Sequence, residues 1–270
     1  MSFLDPAAVL LPGFMPGSKR FVACSGGDVA VRDISGPSDA APVLLLHGWT
    51  ATADLNWSST YGAISAHHPV LAPDHRGHGR GIRSTESFTI AGCADDAAEV
   101  LRSCASGPAI VAGYSMGGPV ALEMARRHPE LVSGLVLCAT AARFGPFPVE
   151  QMALNAIGAI GRIVHRAEVV AKQRIGFAMN LGEMLEAAAA IGMFDARSWL
   201  SGIRVPAVVV CTEHDHLVPT ADQVALAKAL GAPVVSFRAG HDAPVHHGSA
   251  FAAALLDALA LLTPAASCCL

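Results

Sequence analysis

The sequence predicts a single α/β domain built on a mostly parallel sheet with helices over both faces. Short apolar runs bounded by turn residues alternate with stretches of helical spacing along most of the chain. The runs are continuously apolar and do not alternate with polar residues, as strands buried on both sides require. A length of 270 residues suffices for one such domain and a small insertion.

The elements follow in order. Residues 21–24 and 29–33 flank Gly26-Gly27, and a Gly-Gly step supplies the positive φ of a tight turn, so they read as a β-hairpin. Residues 43–46 and 70–72 are the next two strand-like runs, and residues 90–103 carry helical spacing. A strand at 109–112 precedes a helix at 119–127 that stops near Pro129, and 135–138 is again strand-like. From 143 to 201 the pattern changes to loosely helical Ala, Ile, Met, Gly and Leu, with Pro146 and Pro148 at the start. We read 143–201 as a helical cap or lid inserted into a core made of 1–142 and 202–270. Its flexible Met152, Met179, Met184 and Met193 suit a surface that repacks around an apolar ligand, although core-facing methionines would give the same pattern. Strands resume at 207–211 and 234–237.

Composition narrows the function. Apolar residues make up 52% of the chain and charged ones 15%, which fits a globular domain. The uncharged stretch 105–122 holds Pro108, Pro119 and four glycines, too many for a spanning helix. A net charge of −4 without a basic cluster gives no footprint for nucleic acid. The first residues include Asp5 and three prolines, with no Lys or Arg before Lys19, unlike a secretory signal. Seven scattered cysteines without a C-x-x-C pair suit reduced thiols, so a cytoplasmic protein is expected. The terminal Ser267-Cys268-Cys269-Leu270 has Ser where a prenylation signal needs Cys and reads as a tail.

The segment Gly113-Tyr114-Ser115-Met116-Gly117-Gly118 ends the 109–112 strand. A chain reversing sharply into a helix strains the apex residue, and glycines two positions either side of Ser115 remove side chains that would collide there. The following helix offers free backbone N–H groups to a developing oxyanion. A serine hydroxyl needs a base to take its proton, and the base needs a carboxylate to hold its tautomer. Loops after later strands supply both, in the segments 212–219 (TEHDHLVP) and 238–244 (RAGHDAP). Asp215 has an adjacent rival in Glu213, and His241 has rivals in His246 and His247. His214 and His216 lack the spacing of a zinc site, so neither a metal nor another cofactor is expected.

Five ordered motifs resemble the α/β-hydrolase fold family: LLLHGW at 44–49, PDHRGHG at 73–79, GYSMGG at 113–118, EHDHLVP at 213–219 and AGH at 239–241. The resemblance implies the order Ser115, Asp215, His241 for nucleophile, acid and base, and places the oxyanion hole at the backbone N–H groups of Trp49 and Met116. It also implies structural roles for Asp74 and Arg76. Serine at the nucleophile position disfavours the branches that use Asp there. The stretch after Gly79 and the short insertion depart from the family pattern, and both bear on pocket shape.

The expectation is a serine hydrolase cleaving apolar esters of short or medium acyl length. The same triad would serve carbon–carbon bond hydrolysis, thioester hydrolysis, acyl transfer or perhydrolysis, and a low-turnover receptor could keep it. The expected partner is a small apolar ester, with no nucleic acid and no stable membrane insertion. The apolar surplus leaves room for a homodimer interface.

Overall fold

The computed structural model describes residues 17–83, 86–145 and 181–262. Of the features read from sequence, Pro146, Pro148, Met152, Met179 and both chain ends, 1–16 and 263–270, lie outside the described residues, as does the side chain of Met184.

The hairpin comprises β1 (Ser18–Cys24) and β2 (Gly27–Ile34), with Cys24 paired to Gly27. The tight turn is therefore Ser25-Gly26, one residue earlier than the Gly-Gly step suggested. Gly27 opens β2 at φ 129°, so its freedom serves the strand start and not the turn apex. Next come β3 (Val43–Leu46) and two short helices that the sequence reading missed, α1 (Ala53–Trp57) and α2 (Tyr61–Ser65). Five residues are too few to show helical periodicity, which explains the omission. The Thr52 hydroxyl caps α1 by accepting the Leu55 N–H.

After β4 (Val70–Pro73) come α3 (Ile90–Cys104), β5 (Ala109–Tyr114), α4 (Gly117–Arg127) and β6 (Val132–Cys138). The chain continues through α5 (Leu181–Met193), β7 (Ala207–Thr212) and α6 (Thr220–Leu230). It ends with β8 (Val234–Phe237), α7 (Ala243–His246) and α8 (Gly248–Leu262).

These strands form one eight-stranded sheet in the order β1-β2-β4-β3-β5-β6-β7-β8. The first three are antiparallel neighbours, and every pair from β4 to β8 is parallel. Alternation along the parallel strands divides the core. Leu44, Leu46, Val111, Leu135 and Val209 pack with α3, α4 and α6, whereas Val43, Leu45, Ile110, Val136 and Val208 pack with Trp57, Tyr61, Phe251 and Leu255 from α1, α2 and α8. This two-sided burial is why β3, β5 and β7 read as unbroken apolar runs. Fully burying one such aliphatic side chain contributes about 1.5–3 kcal/mol. The edge strand β8 is the exception, with Val234 exposed.

Successive connections run in opposite directions from β3, to β4 on one side and β5 on the other, which opens a crevice at the carboxyl ends of β3 and β5. Leu46 and Gly113 are paired there, so residues 47–49 and Ser115 leave the sheet side by side.

Candidate active site

Ser115 sits between β5 and α4 at φ 52°, a left-handed conformation that side chains rarely adopt. A Cβ on Gly113 would collide with the Gly117 carbonyl, and one on Gly117 would collide with the Leu46 carbonyl. The turn is held on both sides: the Ser115 N–H donates to the Cys138 carbonyl at 2.9 Å, and the Thr140 hydroxyl donates to the Ser115 carbonyl at 2.9 Å. Such strain persists only where surrounding bonds over-determine it.

The loops after β7 and β8 bring the other two residues to the serine. Ser115 Oγ lies 2.9 Å from His241 Nε2, and His241 Nδ1 lies 2.8 Å from Asp215 Oδ2. Because the carboxylate accepts, Nδ1 carries the proton and Nε2 is left to accept the serine hydroxyl hydrogen. The Asp215 side chain is fully buried, and that of His241 is 18% exposed. Oδ1 of Asp215 accepts the Leu217 and Val218 N–H groups at 2.9 Å each, and Oδ2 also accepts the Thr212 hydroxyl at 2.8 Å. Burial pushes the carboxyl upward in pKa, but the His241 contact and these donors outweigh it and hold Asp215 below the usual carboxylate range.

The rivals do something else. Glu213 accepts the Ser236 hydroxyl at 3.0 Å, and His246 pairs with Asp242 at 3.6 Å. His247 caps α7. Asp74 is buried and accepts the Ala53 and Arg80 N–H groups at 2.8 and 3.0 Å, while Arg76 forms a two-bond pair with Asp96 at 2.7 Å. Both stabilise the turn after β4, as the resemblance implied. Among the described residues no group of three or more His, Cys, Asp or Glu is arranged to hold a metal ion.

The 47–49 loop rests on supports that sequence reasoning did not single out. Asn56 Oδ1 accepts the Gly48 N–H at 2.9 Å, and His47 Nδ1 lies 2.8 Å from the Gly48 carbonyl. His47 Nε2 accepts the His75 N–H at 3.0 Å, so Nδ1 is the protonated nitrogen and donates to Gly48. Burial and the neighbouring His47 and His78 keep the His75 imidazole well below its ordinary pKa, and therefore neutral. A Cβ on Gly48 would stand 3.3 Å from Ser115 Cβ, which shows how closely this loop approaches the serine. Trp49 is half-buried and packs on the core, and Met116 is fully buried at the start of α4. Tyr114 is a further unforeseen support, donating its hydroxyl to the His241 carbonyl at 2.8 Å.

Fold and site together define a hydrolase of the α/β class, and the chain belongs to the alpha/beta hydrolase fold family. Residues 41–160 match the family described as alpha/beta hydrolase fold. The chain is similar to a pimeloyl-[acyl-carrier protein] methyl ester esterase of Neisseria meningitidis, with 31% identity over 255 residues that span 82% of this chain and 93% of the relative. It is also similar to a protein of Variovorax paradoxus provisionally named carbamate hydrolase RutD, at 29% identity over 84% of this chain and 95% of the relative. The crystal structure of an enol-lactonase from Burkholderia xenovorans covers 89% of this chain and all of its own, with a TM-score of 0.75 and 26% identity.

Proposed function

We propose that the protein is a serine carboxylesterase acting on esters with an apolar acyl part of short to medium length. The observation that carries the reading is the unbroken relay from Ser115 Oγ through His241 to Asp215, at 2.9 and 2.8 Å. In this mechanism His241 Nε2 takes the Ser115 proton as Oγ attacks the ester carbonyl, and Asp215 steadies the imidazolium that forms. The tetrahedral oxyanion is met by the backbone N–H groups of Met116 and Trp49. Each such donor is worth about 3 kcal/mol of transition-state stabilisation. His241 then gives its proton to the leaving alcohol, and water repeats the sequence on the acyl-enzyme.

Two features support the oxyanion assignment. The Met116 N–H lies at the amino end of α4, ahead of that helix's internal bonds. The Gly48 carbonyl is turned to His47, and in a trans peptide this points the Trp49 N–H the opposite way, off the buried histidines.

The reading keeps 143–201 as a lid insertion, of which 143–145 and 181–201 are described. Among its described residues Arg143 and Asp195 form an antiparallel bridge with each other, and the Ala196 N–H donates to the Ala142 carbonyl of the core at 2.8 Å. Among the described residues no helix is long and apolar enough to cross a membrane. We assign the protein to the cytoplasm, where thiols such as Cys24, Cys93 and Cys138 would stay reduced.

The test is the initial hydrolysis rate on p-nitrophenyl esters of increasing acyl length, with Ser115→Ala alongside and a p-nitrophenyl carbamate included because of the RutD-named relatives. Serine-dependent rates that peak at one chain length support the reading. Faster turnover of the carbamate would move the substrate class to carbamates, and hydrolysis unchanged by Ser115→Ala would remove the mechanism.

A further inference from the structure

We propose that Thr212 and Gln223 are positioning residues that fix the Asp215 carboxylate in the orientation from which it steadies His241. The consequence for turnover rests on the esterase reading above.

Gln223 is fully buried on α6, and its Oε1 accepts the Thr212 N–H at 3.1 Å while its Nε2 donates to the Val218 carbonyl at 2.8 Å. These two backbone partners decide which end of the amide is which, because the amide oxygen cannot face a carbonyl. Thr212 and Val218 also bracket the loop that carries Asp215, so one side chain closes that loop across its ends. Nε2 further donates to Thr212 Oγ1 at 2.9 Å. The threonine hydrogen is then left for Asp215 Oδ2 at 2.8 Å, in preference to Gln223 Oε1 at 3.4 Å. A chain of donors thus runs from amide to hydroxyl to the same carboxylate oxygen that receives the His241 Nδ1–H, and each bond polarises the next. With Oδ1 already occupied by two backbone N–H groups and the side chain wholly buried, the carboxylate cannot turn without leaving a donor unsatisfied.

The hydroxyl matters most when the Asp215 charge has no other compensation, which is when His241 is neutral. Its removal should therefore raise the pH at which the Asp215–His241 pair takes up its proton. Other titratable groups around the pair include Tyr114, Cys138, Cys211, Glu213 and Asp242, together with the exposed His214 and His216 that flank Asp215 in the chain. Burial holds the Tyr114 hydroxyl and the Cys138 and Cys211 thiols above their ordinary values, so they stay neutral through the acid limb.

The experiment compares Thr212→Val, which keeps the shape, with Thr212→Ser, which keeps the hydroxyl. It reads kcat and kcat/KM against pH, together with the 15N-imidazole NMR titration of His241. For Thr212→Val the acid limb and the NMR midpoint should rise by about half to one pH unit, up to a tenfold gain in proton affinity. kcat should fall about tenfold with KM little changed, as expected for a general base held out of position, and Thr212→Ser should restore each value. Gln223→Met, which retains bulk without donors, should move the NMR midpoint the same way. A wild-type midpoint and kcat in Thr212→Val, or an equal loss in Thr212→Ser, would overturn the proposal. Absence of Ser115-dependent turnover in the wild-type protein would instead remove the esterase reading, and the NMR midpoints would still decide the roles of Thr212 and Gln223.

Discussion

Replacing Gly117 by Ala tests how the fold delivers the serine. An added Cβ would strike the Leu46 carbonyl oxygen and stand 2.7 Å from its carbon and 3.0 Å from the His47 carbonyl. Ordinary contact begins near 3.4 Å, so the start of α4 must withdraw from the end of β3 by several tenths of an ångström or more. Both sides of the contact are backbone, and no rotamer change can absorb it. Overpacking of this kind costs about 1–3 kcal/mol, toward the upper end where backbone meets backbone. At about 2–4 °C per kcal/mol for a chain of this size, the melting temperature should fall by about 5–10 °C. The same withdrawal separates Ser115 and Met116 from the 47–49 loop, and a misplacement approaching 1 Å costs about a hundredfold in rate. We expect kcat/KM for the preferred ester to drop by about that factor. Gly62→Ala is the control: Gly62 lies in α2 with nothing within 4 Å of its added Cβ, so it should stabilise by about 0.5–1 kcal/mol and leave turnover unchanged. Wild-type melting and kcat/KM in Gly117→Ala would refute the argument that the glycine exists to permit this approach.

Two further outcomes follow from the site. Asp215 has a depressed carboxyl pKa in the folded state, so its contribution to stability is fully present above the unfolded value of about 3.9 and disappears as pH falls through the folded value. In urea titrations the stability gap between wild type and Asp215→Asn should narrow as pH falls below about 4; a gap that holds its size from about pH 4 down to about pH 2 contradicts the assignment. Tyr114→Phe removes the 2.8 Å bond to the His241 carbonyl and should cost about 1 kcal/mol in denaturant unfolding, with a lowered kcat and an unmoved acid limb. Unaltered kcat and stability would show that the tie does not hold the histidine loop.

The parts of the site legible in sequence are those whose backbone geometry admits few residues. The turn at Ser115 needs small neighbours, and Gly113 and Gly117 announce it because a Cβ at either would meet backbone. The strands that aim at the site were equally readable, since burial on two faces keeps 43–46, 109–112 and 207–211 apolar within β3, β5 and β7. The hairpin turn slipped by one residue because Gly26 and Gly27 both tolerate positive φ, and only cross-strand pairing decides which one occupies the turn. The supports of the triad were hidden for a different reason. Thr212, Gln223, Asn56 and Tyr114 are ordinary residue types at ordinary positions, and each becomes specific only through a partner remote in sequence or on another element. Tyr114 acts on a residue 127 positions away, a distance at which no local pattern can signal the contact. Local chain geometry therefore identifies the nucleophile, whereas the groups that set the orientation and acidity of its base belong to the packing between elements.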